Sequence, residues 1–260
     1  MTIEGVLLDL SGVVYDGEQV VSGSLSAISK LRAAGFEIRF VTNTTRTPKK
    51  VIFTKLATMG LTLEKRELFT PVEAARAWLI DNNCVPSELL VHSALSSAFA
   101  DLPDGDARAV VVGDAGDEFN YAGMNRAFRA LLEGSELLAL AKNRMFKDKD
   151  GRLSLDAGPF VEALEFASGK SALLLGKPSQ DFFASALASI PCPLERAVMV
   201  GDDADADVAG ARTAGLGCAL LVRTGKYRAG DERRFTPSPT AAVADLSEAA
   251  EWILTHRLRN

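Results

Sequence analysis

Both ends of the chain alternate short apolar runs with helix-like segments, and that alternation restricts the available folds more than any other feature. An apolar run over 5–10 leads to a helical stretch over 24–34 that Gly35 stops. A second run over 38–42 leads to a helical stretch over 49–59 ended by Gly60. Strand, helix, strand at this spacing is a right-handed parallel crossover, the opening unit of a doubly wound sheet. The closing segment repeats the grammar, with strands at 172–175, 197–200 and 218–222 and helices at 180–189 and 208–214. The expected fold class is α/β: a doubly wound parallel-sheet (Rossmann-like) core assembled from the two ends of the chain.

The middle of the chain follows a different pattern. A helix at about 71–82 is followed by short strands, an amphipathic stretch over 121–132, and a hairpin-like unit around Asp148, Lys149, Asp150 and Gly151. A chain of 260 residues sits between one and two domains on size alone. The expected organisation is a core in two parts, 1–78 and 171–260, with an inserted α+β cap domain over 79–170 that acts as a lid.

Four short strings fall at the expected strand ends: Asp9-Leu10-Ser11-Gly12, Val41-Thr42-Asn43, Gly176-Lys177-Pro178, and Val200-Gly201-Asp202-Asp203 with Asp207 beyond. In open parallel sheets the carboxyl edge is where ligands bind. Gathered there, these strings supply a nucleophilic carboxylate, a hydroxyl and amide donors for an oxyanion, a cation, and acids able to bind Mg²⁺. Phosphoryl transfer through an aspartyl-phosphate needs those parts.

Bulk properties exclude other classes. The formal charge is −5 and no basic stripe interleaved with aromatics is present, so nucleic acid is not an expected partner. Three dispersed cysteines, Cys84, Cys192 and Cys218, have neither CxxC spacing nor a histidine cluster, and read as small core residues in a reducing compartment. No basic amino-terminal region and no run of roughly 18 apolar residues occurs, so a cytoplasmic protein with no membrane partner is expected.

The four strings, in this order, resemble those of the haloacid dehalogenase superfamily of phosphatases, whose larger caps are inserted between the second and third. Val112-Gly113-Asp114, Phe119-Asn120-Tyr121 and Asp156-Ala157-Gly158-Pro159-Phe160 resemble the subgroup with a large α+β cap, which includes nitrophenylphosphatase-like enzymes. Within it, Asp9 to Val13, the stretch 120–125 and the stretch 222–226 are similar to phosphatases of phospholysine, phosphohistidine and pyrophosphate. The resemblance implies that Asp9 is nucleophile and metal ligand, and that Ser11 ligates Mg²⁺ through its carbonyl. It further implies that Leu10, Thr42 and Asn43 bind phosphate, that Lys177 contacts phosphate and nucleophile, and that Asp202 ligates the metal. Large-capped relatives often pair through the cap, so a homodimer is a further expectation.

One position departs from the superfamily. Most members carry a second aspartate two residues after the nucleophile as general acid, and Ser11 stands there. A hydroxyl is a poor acid near neutrality, and such catalysis is worth roughly 10²–10⁴-fold, so substrates with easy leaving groups are expected: phosphoramidates, pyrophosphate and aryl phosphates. A small phosphate monoester is the alternative substrate, and a degenerate fold used as a binding protein the alternative role. A signalling receiver is disfavoured, because its phosphorylated aspartate lies on a middle strand of a short single domain. Asp207 reads as a residue behind the metal ligands that holds a metal-bound water or Lys177, and Asp203 and Asp205 as solvated helix-start charges. Asp16 with Gly17 reads as a turn, His92 and His256 read as structural, and Lys142, Asn143 and Arg144 are open between the substrate and the cap surface.

Overall fold

The computed structural model describes residues 3–147, 152–188 and 190–257. The expected hairpin turn over 148–151 lies outside the described residues, as does Ser189 at the end of the helix expected over 180–189. Two compact units are present: one takes residues 1–42, 52–69 and 177–260, the other 43–51 and 70–176.

The first unit is built on a six-stranded sheet, every pairing parallel. Its order is Ala241–Val243, Cys218–Val222, Ala197–Gly201, Gly5–Asp9, Glu37–Val41, Leu68–Phe69. The expected α/β core is borne out. Gly5–Asp9 is buried along its whole length, as a central parallel strand covered by helices on both faces must be. Val6 and Leu8 pack with Ile28 and Leu31 of the helix Ser24–Ala33 and with Ala249 and Ile253 of the helix Leu246–Thr255. Leu7, the intervening residue, is equally buried. This strand runs beside Glu37–Val41 on one side and Ala197–Gly201 on the other, so successive crossovers leave it in opposite directions. That is the topological switch point at which ligands bind beyond the strand ends.

Several elements of this unit escaped the sequence reading, the two-residue strand Leu68–Phe69 among them. The helix Leu246–Thr255 buries Leu246, Ala249, Ala250 and Ile253 and is capped by Asp245, a legible i, i+3, i+4, i+7 pattern. The three-residue strand Ala241–Val243 is too short to carry a period.

The second unit holds a four-stranded parallel sheet in the order Leu173–Leu174, Glu136–Ala139, Ala107–Val112, Cys84–Leu90, with an antiparallel pair Met145–Lys147 and Leu153–Leu155. Its core is formed by Val110, Val112, Leu137 and Ala139 under Ala127 and Leu131 of the helix Tyr121–Leu132 and Val161 and Leu164 of the helix Ala157–Ser168. It takes residues 43–51 and 70–176 where the sequence suggests an insertion over 79–170, and within it the helix Pro71–Asp81 leads directly into and packs on Cys84–Leu90. The run 172–175, expected in the core sheet, is a correction. Leu173 and Leu174 pair with Leu138 and Ala139 of the second unit, and an apolar run alone does not say which sheet it joins.

Among the described residues no helix is long and apolar enough to cross a membrane. Cys84, Cys192 and Cys218 form no disulfide.

Candidate active site

Asp9 is the last residue of the central strand and Asp202 the first after the neighbouring strand Ala197–Gly201. The parallel register sets Leu8 against Val200, so both carboxylates emerge at the same sheet edge. Lys177 opens the return of the chain to this unit, two residues before Ser179 caps the helix Gln180–Leu187. That helix is fixed by Phe182 and Phe183, both fully buried, with the Phe182 ring 5.3 Å from that of Phe69.

The result is a charged pocket almost closed to solvent. Asp9, Lys177, Asp202 and Asp207 are 6, 4, 3 and 1% exposed. Lys177 Nζ lies 2.5 Å from Asp9 Oδ1 and 2.6 Å from Asp207 Oδ1, so one ammonium bridges two carboxylates. The other Asp207 oxygen accepts the Asp203 backbone N–H at 3.2 Å. Asp207 thus has one oxygen on Lys177 and the other on the main chain. Asp9, Asp202 and Asp207 each offer an oxygen within 4.8 Å of the other two.

Three carboxylates against one ammonium leave excess negative charge where water cannot screen it. At this separation each like-charge pair costs roughly 3 kcal/mol at an effective dielectric constant of about 20. Asp202 responds by a pKa pushed up to about 7, through burial first and then the charges of Asp207 and Asp9. Burial also lifts Asp207, to about 6, against the pull of Lys177. Burial alone would lower Lys177, but Asp207 and Asp9 outweigh it and the lysine is raised, so it stays an ammonium. A hard, oxygen-lined, net-negative cluster of this kind fits a small divalent cation.

The remaining expected site residues divide. Thr42 is buried and directly follows Glu37–Val41, whose Val41 is in register with Asp9. Asn43 is counted with the second unit, where its Oδ1 lies 3.0 Å from where a Cβ on Gly176 would stand. Ser11 is exposed beyond the strand end, so its hydroxyl and carbonyl are not sealed in the core. The Leu10 side chain is fully buried among core residues, which confines any substrate contact from this position to its backbone.

Asp203 is more than a solvated helix-start charge: its Oδ1 accepts the N–H groups of Asp205 and Ala206. That cap starts the helical segment at Ala204, four residues before the expected start, as a wide turn over Ala204–Ala209 that runs into Gly210–Thr213. Lys142 is held within the second unit by Glu162 and Glu165, each at 2.8 Å, while Arg144 is exposed. His92 caps the short helix Ser93–Ser96 and His256 stacks on Trp252 at 3.8 Å, both structural roles. Asp16 pairs with Gln19 across a tight turn containing Gly17.

Two site residues were not assigned a role from sequence. The Lys226 backbone N–H donates to Asp202 Oδ2 at 2.6 Å, and the Thr224 hydroxyl donates to the Gly12 carbonyl. The string 222–226 was visible as a similarity, but no charge or spacing in it announces a backbone contact.

Comparison with known proteins agrees with this geometry. The family described as haloacid dehalogenase-like hydrolase matches residues 6–124, and a HAD-hydrolase-like family matches residues 174–249. Haloacid dehalogenase-like hydrolase domain-containing protein 2 of Homo sapiens is 41% identical over 256 residues, covering 98% of each chain. Phospholysine phosphohistidine inorganic pyrophosphate phosphatase of Homo sapiens is 38% identical over 260 residues, covering 98% of this chain and 95% of its own. Among solved structures, the 4-nitrophenylphosphatase of Thermotoga maritima superposes with a TM-score of 0.86 at 25% identity, over 96% of this chain and 97% of its own. The p-nitrophenyl phosphatase of Archaeoglobus fulgidus has the same fold, with a TM-score of 0.87 at 22% identity, over 97% of this chain and 100% of its own.

Proposed function

Because the chain belongs to the haloacid dehalogenase-like hydrolases and is a phosphatase of that family, we propose that it is a Mg²⁺-dependent phosphohydrolase that works through a phosphorylated Asp9. The observation that carries this reading is Asp9 at a strand end, 2.5 Å from a buried lysine and within 4.8 Å of a second acid able to hold a metal. Asp9, Asp202 and the carbonyl of Ser11 would hold Mg²⁺, which when bound neutralises phosphoryl oxygens and orients the substrate.

The protein's own residues do the rest. An Asp9 carboxylate oxygen attacks phosphorus in line with the leaving group, forming the aspartyl O–P bond as the bond to the leaving nitrogen or oxygen breaks. Lys177 holds Asp9 oriented and keeps the charge of the pocket in check, itself fixed by Asp207. Thr42 and Asn43 would hold the equatorial oxygens. Water then attacks the aspartyl-phosphate, releasing phosphate and restoring Asp9.

The leaving group must depart without help from position 11. A phosphoramidate nitrogen takes its proton from solvent, while pyrophosphate expels orthophosphate and nitrophenyl phosphate expels nitrophenolate, both stabilised anions. The favoured substrates are therefore small phosphorylated molecules or phosphoamino acids, such as phospholysine or phosphohistidine, together with pyrophosphate and aryl phosphates. The phospholysine and phosphohistidine phosphatase to which the chain is similar points the same way. Phosphate release from a panel of these compounds and alkyl phosphates, with and without Mg²⁺, tests the reading; no metal-dependent release from any of them would refute it.

The exposed position of Ser11 leaves room for a longer acid. Ser11→Asp is expected to raise turnover of alkyl phosphates by roughly tenfold or more, with a much smaller change for nitrophenyl phosphate and pyrophosphate, since only poor leaving groups need the proton. Parallel gains in both classes would remove the leaving-group argument.

Metal affinity should depend on pH in a fixed direction. With Asp202 near 7, a proton occupies the carboxylate below that value and competes with the ion. The apparent Kd for Mg²⁺, measured by calorimetry, is expected to be roughly tenfold weaker at pH 6 than at pH 8. A flat profile would take Asp202 out of the metal site.

A further inference from the structure

We propose that Thr224, Gly225 and the Lys226 backbone form a latch that holds the loop after Asp9 against Asp202 and so sets the affinity of the pocket for a divalent cation. The inference rests on the metal-dependent reading above. The strand Cys218–Val222 lies beside Ala197–Gly201, with Leu221 in register with Gly201. The segment after Val222 therefore emerges next to the one that carries Asp202.

Two backbone segments, at Gly12 and at Gly225, close there on the Asp202 carboxylate. Gly12 and Gly225 both have left-handed backbones, at φ +82° and +60°. A Cβ on Gly225 would stand 2.6 Å from Gly12 Cα and collide with the Asp202 carboxylate, and a Cβ on Gly12 would stand 3.0 Å from Gly225 Cα. Glycine at both positions is what lets the chains close on the acid. The contact is then tied at two points. The Thr224 hydroxyl donates to the Gly12 carbonyl, in the peptide next to the Ser11 carbonyl. The Lys226 N–H takes Asp202 Oδ2 at 2.6 Å and leaves the other Asp202 oxygen for an ion.

The Lys226 ammonium plays a lesser part. Its Nζ sits 3.1 Å from Asp203 Oδ2, but the side chain is 68% exposed, so solvent screens the pair. The latch is main chain plus one hydroxyl. The Thr224 tie holds the peptide that follows the Ser11 carbonyl, and the Lys226 N–H holds the Asp202 carboxylate, before the ion arrives. Partners that orient a ligand typically govern metal affinity by roughly 10–100-fold.

The test is calorimetric titration of the full chain with MgCl₂, without substrate, at pH 8. Thr224→Val keeps the shape and loses the donor, and its Kd for Mg²⁺ is expected to rise by roughly 10–100-fold, with Thr224→Ser restoring most of the loss. Lys226→Ala keeps the backbone N–H and is expected to bind Mg²⁺ within about threefold of wild type, as a screened surface pair implies. The melting temperature of each variant in EDTA reports whether the fold survives, and Thr224→Ala is read in the same way should the valine variant not fold. Unchanged affinity in a folded Thr224→Val, or a loss confined to Lys226→Ala, overturns the latch and leaves the phosphatase reading standing. A wild-type protein that binds no Mg²⁺ overturns both.

Discussion

Asp9→Asn is expected to reduce turnover of every substrate by about a thousandfold or more, equivalent to about 4 kcal/mol of transition-state stabilisation, while the protein stays folded. An amide oxygen still accepts from Lys177, so the local hydrogen bond survives. It does not attack phosphorus, because the nitrogen lone pair is delocalised and no anionic oxygen remains. The fold should tolerate the change well. Asp9, Asp202 and Asp207 repel one another in a pocket with one bridging ammonium, and removing one charge relieves that repulsion. Melting temperature in EDTA should therefore be unchanged or higher. Acid-quenched wild-type enzyme should carry one phosphoryl group on the peptide containing Asp9 and the variant none. A folded Asp9→Asn protein retaining half the wild-type rate would exclude Asp9 as the nucleophile.

How much of this was legible in the sequence follows from the physics of each signal. The central strand is a continuous apolar run ending in an acid, and strands at 197–200 and 218–222 appear where the apolar residues predict them. These three strands carry no charged residue before their ends, unlike Glu37–Val41 with its buried Arg39. Asp9 and Asp202 could be nominated because a doubly wound fold brings strand ends to one edge, whereas Lys177 follows a strand of the other sheet and Asp207 lies in the helical segment after Asp202. The resemblance implies the contact of Lys177 with Asp9, and Asp207 reads as holding Lys177 or a metal-bound water; the main-chain partner of Asp202 is not readable. That one ammonium bridges both carboxylates depends on a contact between Lys177 and Asp9 across 168 positions, and the hold on Asp202 comes from a main-chain N–H, a group that gives no residue-type signal. The sheet assignment of Leu173–Leu174 failed for a related reason, since two parallel sheets offer an apolar dipeptide equivalent edges. The helical start at Ala204 was hidden by reading Asp203 as a surface charge when its carboxylate is a cap.

Lys177→Met should be the most destabilising single change in the pocket. The thioether fills a similar volume but removes the cation that bridges Asp9 and Asp207, leaving buried carboxylates uncompensated. Breaking a buried pair from one side typically costs about 3–5 kcal/mol. For a chain of this size that corresponds to a fall in Tm of roughly 6–20 °C. The loss should depend on pH in a definite sense. Asp202 and Asp207 already have folded-state pKa values raised to about 7 and about 6, and losing the ammonium raises Asp207 further. A raised carboxylate favours the fold below its unfolded value and loses that contribution as pH rises through the folded value. The Tm gap between wild type and Lys177→Met in EDTA should thus be wide at pH 8 and narrow at pH 5. Adding Asp207→Asn should return part of the lost stability at pH 8, because the second change removes a charge the first one orphaned, whereas two unrelated core defects would add. Additive losses in the double variant, or a gap independent of pH, would mean that Lys177 supports the fold by packing alone and that the carboxylates around it are not electrostatically coupled.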